Sequence, residues 1–106
     1  MSPLKHVTPW CAPLEHPVYA GHFPDTPIVP GVMLLDVVLR AIAAESGSAL
    51  APCEIRSLKF LSVVRPGQAL EVRHQRQPDG TARFEVVAGE RLIASGAIVP
   101  LPPRPT

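Results

Sequence analysis

Val32-Met33-Leu34-Leu35-Asp36-Val37-Val38-Leu39-Arg40-Ala41-Ile42-Ala43-Ala44-Glu45 is the one stretch of this chain that reads convincingly as a helix. Pro30-Gly31 punctuates its start and Ser46-Gly47 its end. On a 100° wheel the apolar side chains point nearly all round, and only Asp36 and Arg40 interrupt them on one side. A helix without a broad polar face is normally buried on most of its sides. This segment is therefore expected to lie at the centre of the fold.

Downstream, the hydrophobic period drops to two. Glu54–Val64 carries Ile55, Leu58, Phe60, Leu61 and Val63, with one slip of phase of the kind a bulge causes. Ala69–Gln77 sets Leu70, Val72 and His74 on one face and Glu71, Arg73 and Gln75 on the other. Pro78-Asp79-Gly80 has turn chemistry, and Thr81–Ala88 alternates again through Ala82, Phe84 and Val86. Gly89-Glu90 reads as a second hairpin before a last strand, Arg91–Val99, and residues 100–106 as an extended proline-rich tail.

Upstream, residues 1–30 hold seven of the fourteen prolines. Only a short piece, roughly Leu4–Cys11, can pair there, and Pro9 confines it to a sheet edge. Residues 21–31 are too proline-rich for regular structure and read as a rigid loop. One apolar helix followed by an antiparallel meander is best buried by wrapping the sheet around the helix. The expectation is a single α+β domain over residues 1–106.

Composition narrows the function classes. Apolar residues make up 46% of the chain and charged residues 18%, enough apolar material for a core and too little charge for disorder. The net charge is +1, Lys and Arg are scattered singly, and aromatics are 5%, which argues against a nucleic-acid surface. No signal-peptide pattern and no apolar run near the ~20 residues that cross a bilayer are present, so a cytoplasmic protein is expected. Cys11 and Cys53 lack metal or redox spacing and are expected to be free, buried thiols.

The chemistry lies in Gly21-His22-Phe23-Pro24-Asp25-Thr26-Pro27-Ile28-Val29-Pro30-Gly31-Val32-Met33-Leu34-Leu35-Asp36. This segment resembles the active-site loop and helix of the 3-hydroxyacyl-acyl-carrier-protein dehydratases, in which GHFPxxPxxPG is followed five residues later by an acid. Asp36 stands at the acid position. Lys59-Phe60-Leu61-Ser62-Val63-Val64-Arg65-Pro66-Gly67 resembles a second family segment. Asp25, where the family usually has glycine, and Arg40, where its glutamate branch has glutamine, together with a chain shorter than typical members, point to a short, divergent member.

The resemblance implies a hot-dog fold and a dehydratase of 3-hydroxyacyl thioesters, carried on acyl-carrier protein or coenzyme A, with no metal or diffusible cofactor. It makes His22 and Asp36 the catalytic pair, Gly31 the backbone donor to the thioester oxygen, and Val32, Phe23 and Met33 contacts to the substrate. Gly21, Pro24, Pro27 and Pro30 would shape the loop. The site would sit at the interface of a homodimer or larger homo-oligomer, His22 of one subunit meeting Asp36 of the other.

Elementary chemistry agrees with these roles. Dehydration needs a base for the C2 proton, an acid for the departing hydroxyl and a donor for the carbonyl oxygen. A histidine is largely neutral at cellular pH and suits the base. A carboxyl suits the acid when apolar surroundings raise its pKa, and Leu34, Leu35, Val37 and Val38 flank Asp36. The unpaired N–H groups of Gly31 and Val32 at a helix N-terminus favour a developing oxyanion. Plainer readings stand beside these: Asp36 as the i,i+4 ion-pair partner of Arg40, and Gly31 as a tight-turn residue. His6, His16 and His74 show no ligand spacing, and His22 with Asp36 lacks a third metal ligand in reach. Two rival functions remain, a hot-dog thioesterase using Asp36 to activate water, and a catalytically silent subunit that binds acyl carriers.

Overall fold

The structure is a computed structural model that describes residues 4–17, 28–46 and 53–100. Its order is β1 (His6–Cys11), α1 (Gly31–Ser46), β2 (Cys53–Phe60), β3 (Ala69–Arg76), β4 (Ala82–Ala88) and β5 (Arg91–Pro100). The tail beyond Pro100 lies outside the described residues.

The five strands form one antiparallel sheet in the order β1-β3-β4-β5-β2. β1 sits at an edge, where Pro9, opposite Glu71, needs no second partner. β3, β4 and β5 form the expected meander. Its first turn is closed by the Thr81 N–H donating to Asp79 Oδ1 (2.9 Å), and Gly80 takes φ 91° there.

β2 departs from the expectation: it does not neighbour β3 but pairs with β5 at the far edge. The reason lies in the connection after it. Leu61 and Ser62 donate to the Ile93 carbonyl, and the Val64 carbonyl accepts from Val29 N–H at 2.8 Å. The chain thus crosses the start of α1 before it reaches β3. Ala12 N–H then donates to Gln68 and Gly67 N–H to Ala12, each at 2.9 Å, which anchors the opposite edge, that of β1.

Two bulges adjust which side chains face inward. Register shifts between Ile55 and Ser57, matching the slipped alternation of the sequence. A second shift falls opposite Val86 and Val87, so that the consecutive residues Ile93 and Ala94 are both buried. The core is built from Leu34, Val38, Ala41 and Ile42 of α1 against Leu70, Val72, Phe84, Val86, Ile93 and Ile98 of the sheet. Each large side chain so buried contributes ~1.5–3 kcal/mol.

The helix is less enclosed than its apolar wheel predicts. Val32, Asp36, Arg40 and Ala44 form an exposed i,i+4 stripe, and Val32 is 76% exposed. A single five-stranded sheet covers only one side of a helix. The two cysteines are free, as expected, but Cys11 is exposed and Cys53 half-buried rather than deep in the core.

Candidate functional site

Pro30 fixes the chain's entry into α1, and its carbonyl accepts from the N–H groups of Met33 (3.0 Å) and Leu34 (3.3 Å). Gly31 follows as the first helical residue. A side chain there would have to displace Phe60, because a Cβ on Gly31 would lie 2.8 Å from Cζ of its ring. Among the described residues, neither Gly31 nor Val32 N–H has a recorded acceptor, so both remain donors at the positive end of the helix dipole.

Asp36 lies about one turn further along the exposed stripe. Arg40 Nε donates to its Oδ2 at 2.8 Å, with the Asp36 side chain 54% and the Arg40 side chain 66% exposed. The apolar surroundings expected from Leu34, Leu35, Val37 and Val38 are not around the carboxyl. Sequence neighbours on a helix point about 100° apart, and Leu34 and Val38 turn into the core instead. An ion pair this exposed contributes only ~0.3–0.5 kcal/mol.

Met33, expected against the substrate, packs partly buried on the core cluster. His22, Gly21, Phe23, Pro24 and Pro27 lie outside the described residues, as does Asp25. The described part of the site is therefore one helix end carrying the Gly31 and Val32 donors, with the Asp36 carboxyl about a turn away and open on the same side. Among the described residues, no group of three or more His, Cys, Asp and Glu side chains is placed to hold a metal ion. None of the described helices is long and apolar enough to cross a membrane.

Two features escaped the sequence reading. Phe60 stands in the sequence as one apolar residue of the Glu54–Val64 run and of the second family segment, and nothing local tells that its ring reaches Gly31. His74 is 2% exposed and stacks on His6, while His6 Nε2 lies 3.2 Å from Glu45 Oε1. Burial first, and the neighbouring His6 second, hold the His74 imidazole below its ordinary pKa, with Glu45 pulling the other way. The only signal was the place of His74 beside Leu70 and Val72 on the inward face. A cavity of about 810 Å³, lined by Lys59, Glu71, Arg73, Arg83 and Glu85 among others, opens on the sheet face turned away from α1 and does not include Asp36.

Comparison with known proteins places this geometry. The model of a family described as ApeI-like, ApeI dehydratase, matches residues 5–97. A 3-hydroxyacyl-[acyl-carrier-protein] dehydratase FabZ from Sodalis glossinidius is 39% identical over 85 residues, covering 70% of this chain and 56% of that protein. The chain thus spans little more than half the length of the curated relatives it matches first. In fold it is similar to the dehydratase heterocomplex ApeI:P from Xenorhabdus doucetiae (TM-score 0.72, 21% identity, 93% of this chain and 97% of that one). It is also similar to the fluoroacetyl-CoA thioesterase FlK (TM-score 0.66, 16% identity, 92% and 86%). The five-stranded sheet around one helix is accordingly the hot-dog fold. A family match that runs through α1 and all five strands leaves one assignment: this chain belongs to the ApeI-like dehydratase family.

Proposed function

We propose that this protein removes water from a 3-hydroxyacyl thioester to give the 2-enoyl thioester, on a phosphopantetheine arm of acyl-carrier protein or coenzyme A. His22 takes the proton from C2. The electron pair of that C–H bond forms the C2=C3 double bond, and Asp36 protonates the C3 hydroxyl, which leaves as water. The Gly31 N–H, with Val32 beside it, donates to the thioester oxygen as enolate character develops. The observation that carries this reading is the position of Asp36 in a family match, open to solvent about one turn from two N–H groups that are unpaired among the described residues.

A second copy of the chain would complete the site. β2 has no strand on its outer side among the described residues, and Ile55, Phe60, Leu61 and Val63 stand about half exposed along it and the segment after it. An apolar edge of this kind is a liability in a monomer and a ready surface for pairing. A homodimer covers it and brings His22 of one subunit to Asp36 of the other. The two free thiols fit a reducing, cytoplasmic setting.

The Asp36–Arg40 ion pair supports a second reading. A carboxylate steered by Arg40 suits the activation of water, which would make the enzyme a thioesterase on the same fold. Mass spectrometry of reactions offered 3-hydroxyacyl and 2-enoyl thioesters separates the two. Loss or gain of 18 mass units on an intact thioester is the dehydratase result, and release of free acid is the thioesterase result. Neither product would leave the silent, carrier-binding subunit.

A further inference from the structure

Phe60 is 48% exposed, yet the tip of its ring is wedged against the start of α1. A Cβ on Gly31 would lie 2.8 Å from Cζ, 3.0 Å from Cε2 and 3.2 Å from Cε1, so the ring points its tip at the space beside Gly31. The backbone that carries the ring is well anchored. Phe60 pairs with Ala94 as the last residue of β2, and Leu61 and Ser62 donate to Ile93 just beyond it. Four residues after Phe60, the fully buried Val64 accepts from Val29, just before the helix. The segment Phe60–Val64 therefore grips residues 29–31 twice, once by a backbone hydrogen bond and once by an aromatic ring.

We propose that Phe60 is a positioning residue of the dehydration, its ring fixing where the Gly31 N–H stands relative to the reacting thioester. This rests on the dehydratase reading and adds to it. A backbone donor works only within hydrogen-bond distance of the place the oxyanion will occupy, about 2.7–3.1 Å. A displacement of ~1 Å from outside the reacting centre costs about 10²-fold. The first turn of a helix is also its least constrained part, with N–H groups that find no partner in the helix itself. A ring carried on that fixed backbone and set against Gly31 limits that freedom on the side facing β2.

The test compares wild type, Phe60→Leu, Phe60→Ala, Gly31→Ala and the double variant Gly31→Ala/Phe60→Ala. Each is assayed for kcat and KM on a 3-hydroxyacyl thioester and for its melting temperature. Phe60→Ala is expected to lower kcat at least about tenfold with KM changed less than about threefold, and Phe60→Leu to keep most of the activity. Gly31→Ala alone collides with the ring and loses kcat. In the Phe60→Ala background the same methyl has room and costs less than about threefold further. That rescue in kcat is not expected of a residue that only packs. Wild-type kcat per folded molecule in Phe60→Ala, or an equal effect of Gly31→Ala in both backgrounds, overturns the proposal while the dehydratase reading stands. A wild-type protein that makes no enoyl product overturns that reading, and this proposal with it.

Discussion

His6 and His74 lie face to face across the β1–β3 edge of the sheet, their ring centroids 5.3 Å apart and their planes within 24° of parallel. The charged groups acting on His74 are His6 from β1 and Glu45 from the end of α1, and Phe84 is its cross-strand neighbour on β4. A charge on His74 would be opposed by His6 and favoured only in part by Glu45, which lies 3.2 Å from His6. The cluster ties the edge strand to the helix best when His74 is neutral.

Stability should accordingly fall on the acid side. The folded pKa of His74 is depressed below the ordinary histidine value of 6.5, so the unfolded chain takes up the proton first as pH falls. The full stability is present above about pH 6.5, declines as pH drops towards the folded pKa, and levels off below it. One proton sets a ceiling of ~1.4 kcal/mol per pH unit on that slope. Urea melts between pH 8 and pH 5 measure it. His74→Phe is expected to flatten the profile, and an unchanged slope in that variant assigns the proton to another group.

Replacement of Asp36 should affect turnover and hardly touch the fold. The carboxyl is more than half exposed and its pair with Arg40 contributes little. Asp36→Asn and Asp36→Leu are both expected to melt within ~0.5 kcal/mol of wild type. Turnover per folded molecule should drop ~10²–10⁴-fold in each, because neither side chain supplies a proton. Near-normal turnover by the Asn variant would refute Asp36 as the acid and leave it as the partner of Arg40.

His22→Ala should leave the melting temperature where it is and lower dehydration by ~10²–10⁴-fold, the usual weight of a general base. Circular dichroism beside the enoyl-thioester assay checks both halves. Wild-type turnover in the folded variant moves the base elsewhere, with His16 the next candidate.

Gly96→Ala should be among the most damaging single methyl additions in the chain. Its Cβ would run into the Ser57 carbonyl of β2 and lie 2.7 Å from Cζ of the buried Phe84. Overpacking of a filled core costs ~1–3 kcal/mol, and here the obstacle is backbone on one side. Thermal melts should show at least that loss, and Phe84→Leu in the same chain should restore part of it.

Sedimentation at micromolar concentration should give at least a dimer of the 11.4 kDa chain. Ile55→Lys places a charge on the open β2 edge and should shift the equilibrium towards monomer with the secondary structure retained. A wild-type protein that sediments only as an 11.4 kDa species is incompatible with a site shared between subunits.

Periodicity within short windows carried a good deal of this protein. The apolar run from Val32 to Ile42 announces the helix. The alternation through Leu70, Val72 and His74 names the inward face of β3, and the slip near Ile55 marks a bulge where one occurs. The spacing of Asp36 and Arg40 at i,i+4 likewise foretells their ion pair, because helix geometry alone brings such residues together. Proline in β1 was enough to put that strand at an edge. What pairs with what across long stretches of chain was not legible. β2 lies beside β5 because residues 60–64 must seat against the helix start, and that contact joins segments about thirty residues apart. The same long-range packing sets the His6–His74 stack, the Phe60 ring on Gly31 and the exposure of Asp36. A side chain's direction follows from its own helix or strand, but what it meets there is decided by whichever distant segment closes over it, and for Asp36 no described segment of the single chain does so.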